Sequence, residues 1–269
     1  MWLIVKKKIF KTLDEQLNYL QNGKLVKFDD LDKARTILLN NNYYYLISCG
    51  KIKFAKSLDN RKYEYEASDF DEWVDYFNID RNVVKHLRNN VLDFERLINS
   101  RAAYFVSQLM ETGIANSYDK EGIKLIILSS KNVDGVNFSE YDEYETWKYV
   151  TKMMFGDMKK LIFWLLENKR SFYEKIVEDF SFLQSNDTIL CRKRLNEINN
   201  LRNNLCHSTP LSNYLVYGKV IKGKLQRKID VVKFVYRLYG KQSGFLELNQ
   251  ICGYARKFMK IKKTVNNKC

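Results

Sequence analysis

The sequence is poor in the residues that break helices. It has a single proline, Pro210, and 11 glycines in 269 residues. Proline removes a backbone donor and glycine costs about 1 kcal/mol inside a helix, so their scarcity excludes a loop-rich, all-β protein and leaves room for long helices. Histidine is scarcer still, with only His86 and His207. A His-rich metal site is thereby excluded, and no Asp/Glu cluster has a metal-binding spacing, so neither metal nor other cofactor is expected. Cys49, Cys191, Cys206, Cys252 and Cys269 form no close-spaced framework and no C-x-x-C pair. That is the pattern of thiols in a reducing cytoplasm. The densest apolar run, Leu161–Leu166, is far short of the roughly 18 residues that span a bilayer. Near the start, apolar Trp2–Val5 precede Lys6–Lys8, the reverse of the order in a secretory signal. A cytoplasmic protein with no membrane partner is expected.

What the chain has in excess is positive charge. Lys and Arg number 46 against 32 Asp and Glu, a net charge of +14. Such an imbalance favours a polyanionic partner such as nucleic acid or an acidic membrane surface. Hydrophobic residues are 45% of the chain, enough for a globular core at this length.

The apolar spacing then predicts a mainly α protein. Thr12-x-x-Glu15 has the form of a capping box, Leu13, Leu17 and Leu20 follow at helical spacing, and Gly23 can end the helix. A short helix is expected from Asp30 to about Asn41. Tyr43–Ser48 reads as strand or buried helix, with a core role for its aromatics. Residues 55–67 read as loop or hairpin, and Ser68 with Asp71 as a helix start. Val84, Leu87, Val91, Phe94, Ile98 and Phe105 share one face of the long helix that follows, which Gly113 stops. Residues 114–140 show no clear period and read as an insertion. Asp187 can cap a helix over 188–207, with Cys191, Leu195, Ile198, Leu201 and Leu205 as its apolar stripe. Residues 214–228 read as a basic β-hairpin, followed by two closing helices. The expected organisation is a small N-terminal helical and aromatic segment, 1–67, packed on a helical domain, 68–269, in one compact unit.

The chemistry concentrates in Leu201–His207. Residues four apart share a helix face, so Asn196, Asn200, Asn203 and His207 make a polar stripe opposite the leucines. Arg202 is five residues from His207, about 140° round an ideal helix. The two can meet one phosphate only if the arginine bends round or the helix ends near His207. Imidazole suits proton transfer near neutral pH, and a guanidinium fork holds phosphate oxygens. The set therefore suits phosphodiester cleavage in which the RNA 2′-hydroxyl attacks the adjacent phosphorus. A histidine at a helix end also serves commonly as a dipole partner or cap. Arg81, Asn82 and His86 repeat the R-N-x3-H form and read either as a second half-site or as a solvated basic face.

Several blocks together resemble the Abi-like abortive-infection proteins of the AbiD/AbiF kind, in the HEPN superfamily. They are Thr12-x-x-Glu15-Gln16-x-x-x-Leu20, Asn42-Tyr43-Tyr44-x-Leu46-x-Ser48, Phe70-Asp71, Asp80-Arg81, Glu95 with the 101–109 segment, Arg202-Asn203-x-x-Cys206-His207 and Leu211-x-Asn213. The resemblance implies a HEPN-like helical bundle and an R-x4-H site in which Arg202 and His207 are catalytic and Asn203 supports them. It implies two facing motifs, often across a homodimer or higher assembly, and a role in phage defence or toxin–antitoxin control. A structured non-coding RNA is the implied restraint. Many relatives follow the motif with a second His and an Arg, where this chain has Ser208 and Pro210. That departure fits a member that binds RNA more than it cuts it.

Three readings remain: a metal-independent endoribonuclease, a non-catalytic module for structured RNA, and an α-helical DNA-binding regulator. For the second, Lys219, Lys222, Lys224, Arg227 and Lys228 with nearby tyrosines are the expected RNA contacts. The third lacks a helix-turn-helix signal.

Overall fold

A computed structural model of the chain describes residues 11–41, 43–59, 62–133, 141–207, 209–216, 224–238 and 244–266. Among these, twelve α-helices dominate and the strands are short. The chain divides into two units, Met1–Lys85 with Ser208–Leu225 and Ser243–Cys269, and His86–His207 with Gln226–Gln242. The expected boundary at 67/68 lies inside the first of these. No helix among the described residues is long and apolar enough to cross a membrane.

The first unit opens with α1 (Leu13–Lys24), whose capping box forms as its sequence dictates: Thr12 N–H donates to Glu15 Oε2 at 2.7 Å and Glu15 N–H to Thr12 Oγ1 at 3.3 Å. Gly23 does not end this helix. Leu25 does, in the left-handed region at φ 57°, while Gly23 lies under the Tyr19 ring. After β1 (Val26–Lys27), Asp30 caps α2 (Leu31–Asn40) through the amides of Asp32 and Lys33. The ambiguous tyrosine-rich segment is α3 (Tyr43–Phe54), a helix rather than a strand. It buries Leu46, Ile47, Cys49, Ile52 and Phe54, while Tyr44 is exposed and Tyr43 and Tyr45 are half-buried, so the tyrosines do not have the core role expected of them. The hairpin at 55–67 is β2 (Ala55–Asp59) with β3 (Lys62–Tyr65), and β4 (Ser68–Asp69) pairs in parallel with β1.

The centre of this unit is Trp73, on α4 (Phe70–Glu111). It is fully buried, stacked on Phe54, and donates its indole N–H to Ser68 Oγ at 2.8 Å. Only glycine fits at position 50, because a Cβ there would sit 1.9 Å from the Trp73 ring. The returning helices α10 (Leu211–Val216) and α12 (Phe245–Asn266) pack on α3. Asp80 fixes α10. Its carboxylate is wholly buried and accepts the Leu211 amide at 2.7 Å, the Ser212 amide at 2.8 Å and the Ser212 hydroxyl, which also meets Tyr76 Oη at 3.0 Å.

In the second unit the later half of α4 carries Leu87, Val91, Phe94, Ile98, Ala102 and Val106 into the core. Phe94 meets Phe155, Phe180 and Phe234 edge-on. Around it lie α5 (Ser117–Leu128), α6 (Thr146–Lys152), α7 (Phe155–Asn168), α8 (Arg170–Ile176), α9 (Thr188–Cys206) and α11 (Lys224–Arg237), the last beginning just before this unit does. The segment read as an insertion without a clear period therefore holds α5. Its cap is Asn116 with Asp119, and Gly122 interrupts its apolar pattern to seat Trp164.

The basic hairpin expected at 214–228 is also corrected. Tyr214–Val216 end α10 and Lys224–Lys228 begin α11, while 217–223, with Lys219 and Lys222, lie outside the described residues. The β-prone Tyr-Leu-Val run is buried as a helical turn after Pro210, whose carbonyl takes the Tyr214 amide at 3.0 Å.

Burial raises Asp80 to a pKa of about 6, against the opposing hydrogen bonds from Ser212 and Leu211. A carboxyl raised on folding contributes stability that is complete below its unfolded range and is lost as pH climbs through the folded value. Urea unfolding of wild type and Asp80→Asn should therefore show wild type losing relative stability from pH 4 to 6 and levelling above. A relative gain over that interval would mean that the three donors outweigh burial. Asp80→Ala, which orphans two buried amides, should cost about 2–4 kcal/mol at pH 7.

Candidate functional site

Helix α9 begins where its own sequence dictates. Asp187 accepts the Leu190 amide at its start, at 3.0 Å. Cys191, Leu195, Ile198, Leu201 and Leu205 are buried as the spacing requires. On the opposite face Asn200, Asn203 and His207 are exposed and Asn196 is half-buried, so the polar stripe forms as expected.

The helix ends at Cys206, and His207 is its C-cap, with φ −86° and ψ 13°. The His207 amide donates to the Asn203 carbonyl at 3.2 Å. No glycine or asparagine reverses the chain here in the way that commonly closes a helix. Another helix supplies the closure: Arg88 of α4 donates Nε–H to the Leu205 carbonyl at 3.0 Å. A cation on the last-turn carbonyls also matches the negative end of the helix dipole.

Arg202 points at the same stretch of α4. Its Nε donates to Glu95 Oε2 at 2.9 Å and its Nη2 to Oε1 at 3.4 Å, the side-on bidentate form. Its Nη1 donates to Asn203 Oδ1 at 3.3 Å. Both partners are largely covered, with side-chain exposures of 30% for Arg202 and 13% for Glu95. Burial disfavours the arginine charge, but the hydrogen bond and charge of Glu95 outweigh it and hold its pKa above the ordinary value. Arg202 and His207 are thus both tied to Asn203, one through its side chain and the other through its carbonyl.

Sequence reasoning gave Glu95 no role and passed over Arg88. The signal was an acid among core positions, since Glu95 follows Phe94 and lies three before Ile98. Arg88 sits seven residues before Glu95, which puts both on one face of α4. Cys206, next to His207, is an exposed free thiol.

The repeated R-N-x3-H form at 81–86 falls into two settings. Arg81 is exposed, lies over Phe77 and donates to Asn41 Oδ1 at 3.1 Å, and Asn82 is exposed. His86 lies against Tyr236, with ring centroids 4.5 Å apart and planes tilted by 57°, and sits 3.4 Å from Asn90 Nδ2. Asn90 in turn caps α11, donating to the carbonyls of Val235 and Tyr236 at 2.9 and 3.2 Å. Of the expected RNA contacts, Lys224 and Arg227 are half-buried on α11. Lys228 is buried, so it is no surface cation. Among the described residues, no group of three or more His, Cys, Asp or Glu side chains could hold a metal ion.

The comparisons with known proteins come to one match. The family model described as Abi-like protein matches residues 36–213, about two thirds of the chain. That span takes in Asp80, Glu95, Arg202 and His207. No curated protein and no solved structure matches.

Glu95→Ala leaves a largely covered guanidinium without its carboxylate and should lower stability by about 1–3 kcal/mol in urea unfolding. Glu95→Gln keeps the shape and one acceptor and should lose less. A wild-type unfolding curve for Glu95→Ala would reduce the pair to a surface contact.

Proposed function

The chain belongs to the Abi-like protein family, which points to abortive infection in phage defence, and from that premise we propose that it is a metal-independent HEPN-type endoribonuclease. The observation that carries the reading is the end of α9. Exposed Asn203 accepts a hydrogen bond from the Arg202 guanidinium that α4 holds in place, and exposed His207 caps the same helix one turn further on.

In the reaction, the RNA 2′-oxygen forms a bond to the adjacent phosphorus while the bond from phosphorus to the 5′-oxygen breaks. A base takes the 2′-hydroxyl proton and an acid returns one to the leaving oxygen. The products are a 2′,3′-cyclic phosphate and a 5′-hydroxyl. His207 serves one of these proton transfers. Arg202 and Asn203 donate to the non-bridging oxygens as charge builds on them. One histidine cannot serve both transfers at once, so the complete site draws a second His207 from a facing copy of the chain. A structured non-coding RNA restrains the enzyme until infection.

A second reading, a non-catalytic RNA-binding module, draws support from the same ion pair. Glu95 occupies part of the Arg202 fork and offsets its charge, which weakens the hold on a reacting phosphate.

Purified protein incubated with total RNA in EDTA should cleave it and leave cyclic phosphate ends. His207→Ala should slow cleavage by about 10²-fold or more, with an unchanged thermal melt and nearly unchanged RNA affinity. Cleavage that survives in His207→Ala, or that requires added magnesium, would sink the nuclease reading. Equal losses of binding and cleavage would make His207 part of the binding surface.

A further inference from the structure

The positive charge of the chain is not spread evenly. From Leu248 to Cys269 there is no Asp or Glu, and the same stretch holds Arg256, Lys257, Lys260, Lys262, Lys263 and Lys268. Most of it is helix α12, which runs to Asn266.

The apolar side of that helix is spent within the first unit. Leu248, Ile251, Cys252, Ala255, Phe258 and Met259 are buried, and Phe258 stacks on Tyr63 of β3. The outer side shows Gly253, Arg256, Lys257 and Lys260 to solvent. At 100° per residue, positions 256, 260 and 263 fall within a 60° arc. Position 257 flanks the arc, where Lys257 meets Glu66 at 3.3 Å.

An outer helix face that serves only solubility mixes signs, because opposite charges three or four apart attract. Other helices here do so, with Asp93–Arg96 on α4 and Arg170–Glu174 on α8. On α12 the neighbours at 256/260, 257/260 and 260/263 are all cationic, and like charges at these spacings repel. The C-terminal dipole favours cations only in the last turn, beyond Arg256 and Lys260.

We propose that the outer face of α12, centred on Arg256 and Lys260, binds the phosphate backbone of a folded RNA. Its charge is complementary to a polyanion, and its two exposed cations Arg256 and Lys260 lie about 6 Å apart along the helix axis. A lipid surface fits it poorly, because an interfacial helix needs an exposed apolar face and that of α12 is already buried in the protein. The choice of RNA over DNA rests on the proposed function. The face itself is distinct from the amide and imidazole stripe of α9.

The test measures affinity against salt for a labelled RNA hairpin, with a DNA duplex and phosphatidylserine vesicles as parallel probes. It uses wild-type protein, Arg256→Glu with Lys260→Glu, and His207→Ala. The double variant changes only exposed residues, and a thermal melt checks its fold. The expected result is a loss of about tenfold or more in RNA affinity and a slope of log K on log salt shallower by about 1.5–2. His207→Ala should bind as wild type does. Wild-type affinity and slope in the double variant would overturn the assignment. So would equal binding of DNA, or binding of vesicles in place of RNA. Binding that depends on Arg256 and Lys260 without metal-free cleavage would remove the nuclease and keep this surface, and cleavage with unaltered binding in the double variant would do the reverse.

Discussion

The end of α9 is held by two side chains that α4 places on one face. Arg88 meets the Leu205 carbonyl and Glu95 meets the Arg202 guanidinium. The exposed residues of the motif depend on that grip. A helix terminus whose last carbonyls find no partner frays, and a frayed end would scatter Asn203 and His207. The side-on pairing does more than hold the backbone. A guanidinium has five N–H donors. Three of them go to Glu95 and Asn203, which leaves one on each terminal nitrogen outside these bonds. Orientation is gained and some positive charge is offset. That compromise suits a residue that must hold its place at a surface before its ligand arrives.

Burial of polar groups serves a different end in the first unit. Asp80 lies at no exposed site, and its carboxylate accepts three hydrogen bonds from the start of α10, one from Leu211 and two from Ser212. A six-residue helix has little stability of its own, so a distant carboxylate supplies the cap that its sequence lacks. Trp73 against Gly50 shows the same dependence in apolar form, since the ring needs the missing side chain of a particular glycine.

The parts legible in the sequence were those set by neighbours along the chain. Asp187 marked the start of α9, Thr12 and Glu15 formed their box, and the stripe from Cys191 to Leu205 was buried as spaced. The polar stripe that ends at His207 followed from the same periodicity. Where local signals conflicted, the reading failed. Asn116 with Asp119 is a capping box in other letters, and Gly122 breaks a period to admit Trp164. Tyr214–Val216 have β-prone side chains but are buried as a helical turn that Asp80 anchors. Partners such as Arg202 and Glu95, 107 residues apart, leave only the hint of a charge among core positions. No local pattern says which distant residue answers it.

Charge and chemistry occupy different helices. The exposed stripe of α9 consists of amides and an imidazole, and the neighbouring Arg202 is already paired with a carboxylate. Such a surface can discriminate and transfer protons, but it offers little long-range attraction. The outer face of α12 has the opposite character, cationic and without a titratable group near neutral pH. A polyanion bound by diffuse charge is held without being aligned for reaction, and a reactive end with weak charge acts only on what is brought to it. If one RNA occupies the cationic face, its affinity falls steeply with salt, while events at His207 depend on proton transfer and geometry. Under the function and the surface proposed above, the two helices respond to different variables, so retention of one RNA is separable from action on another.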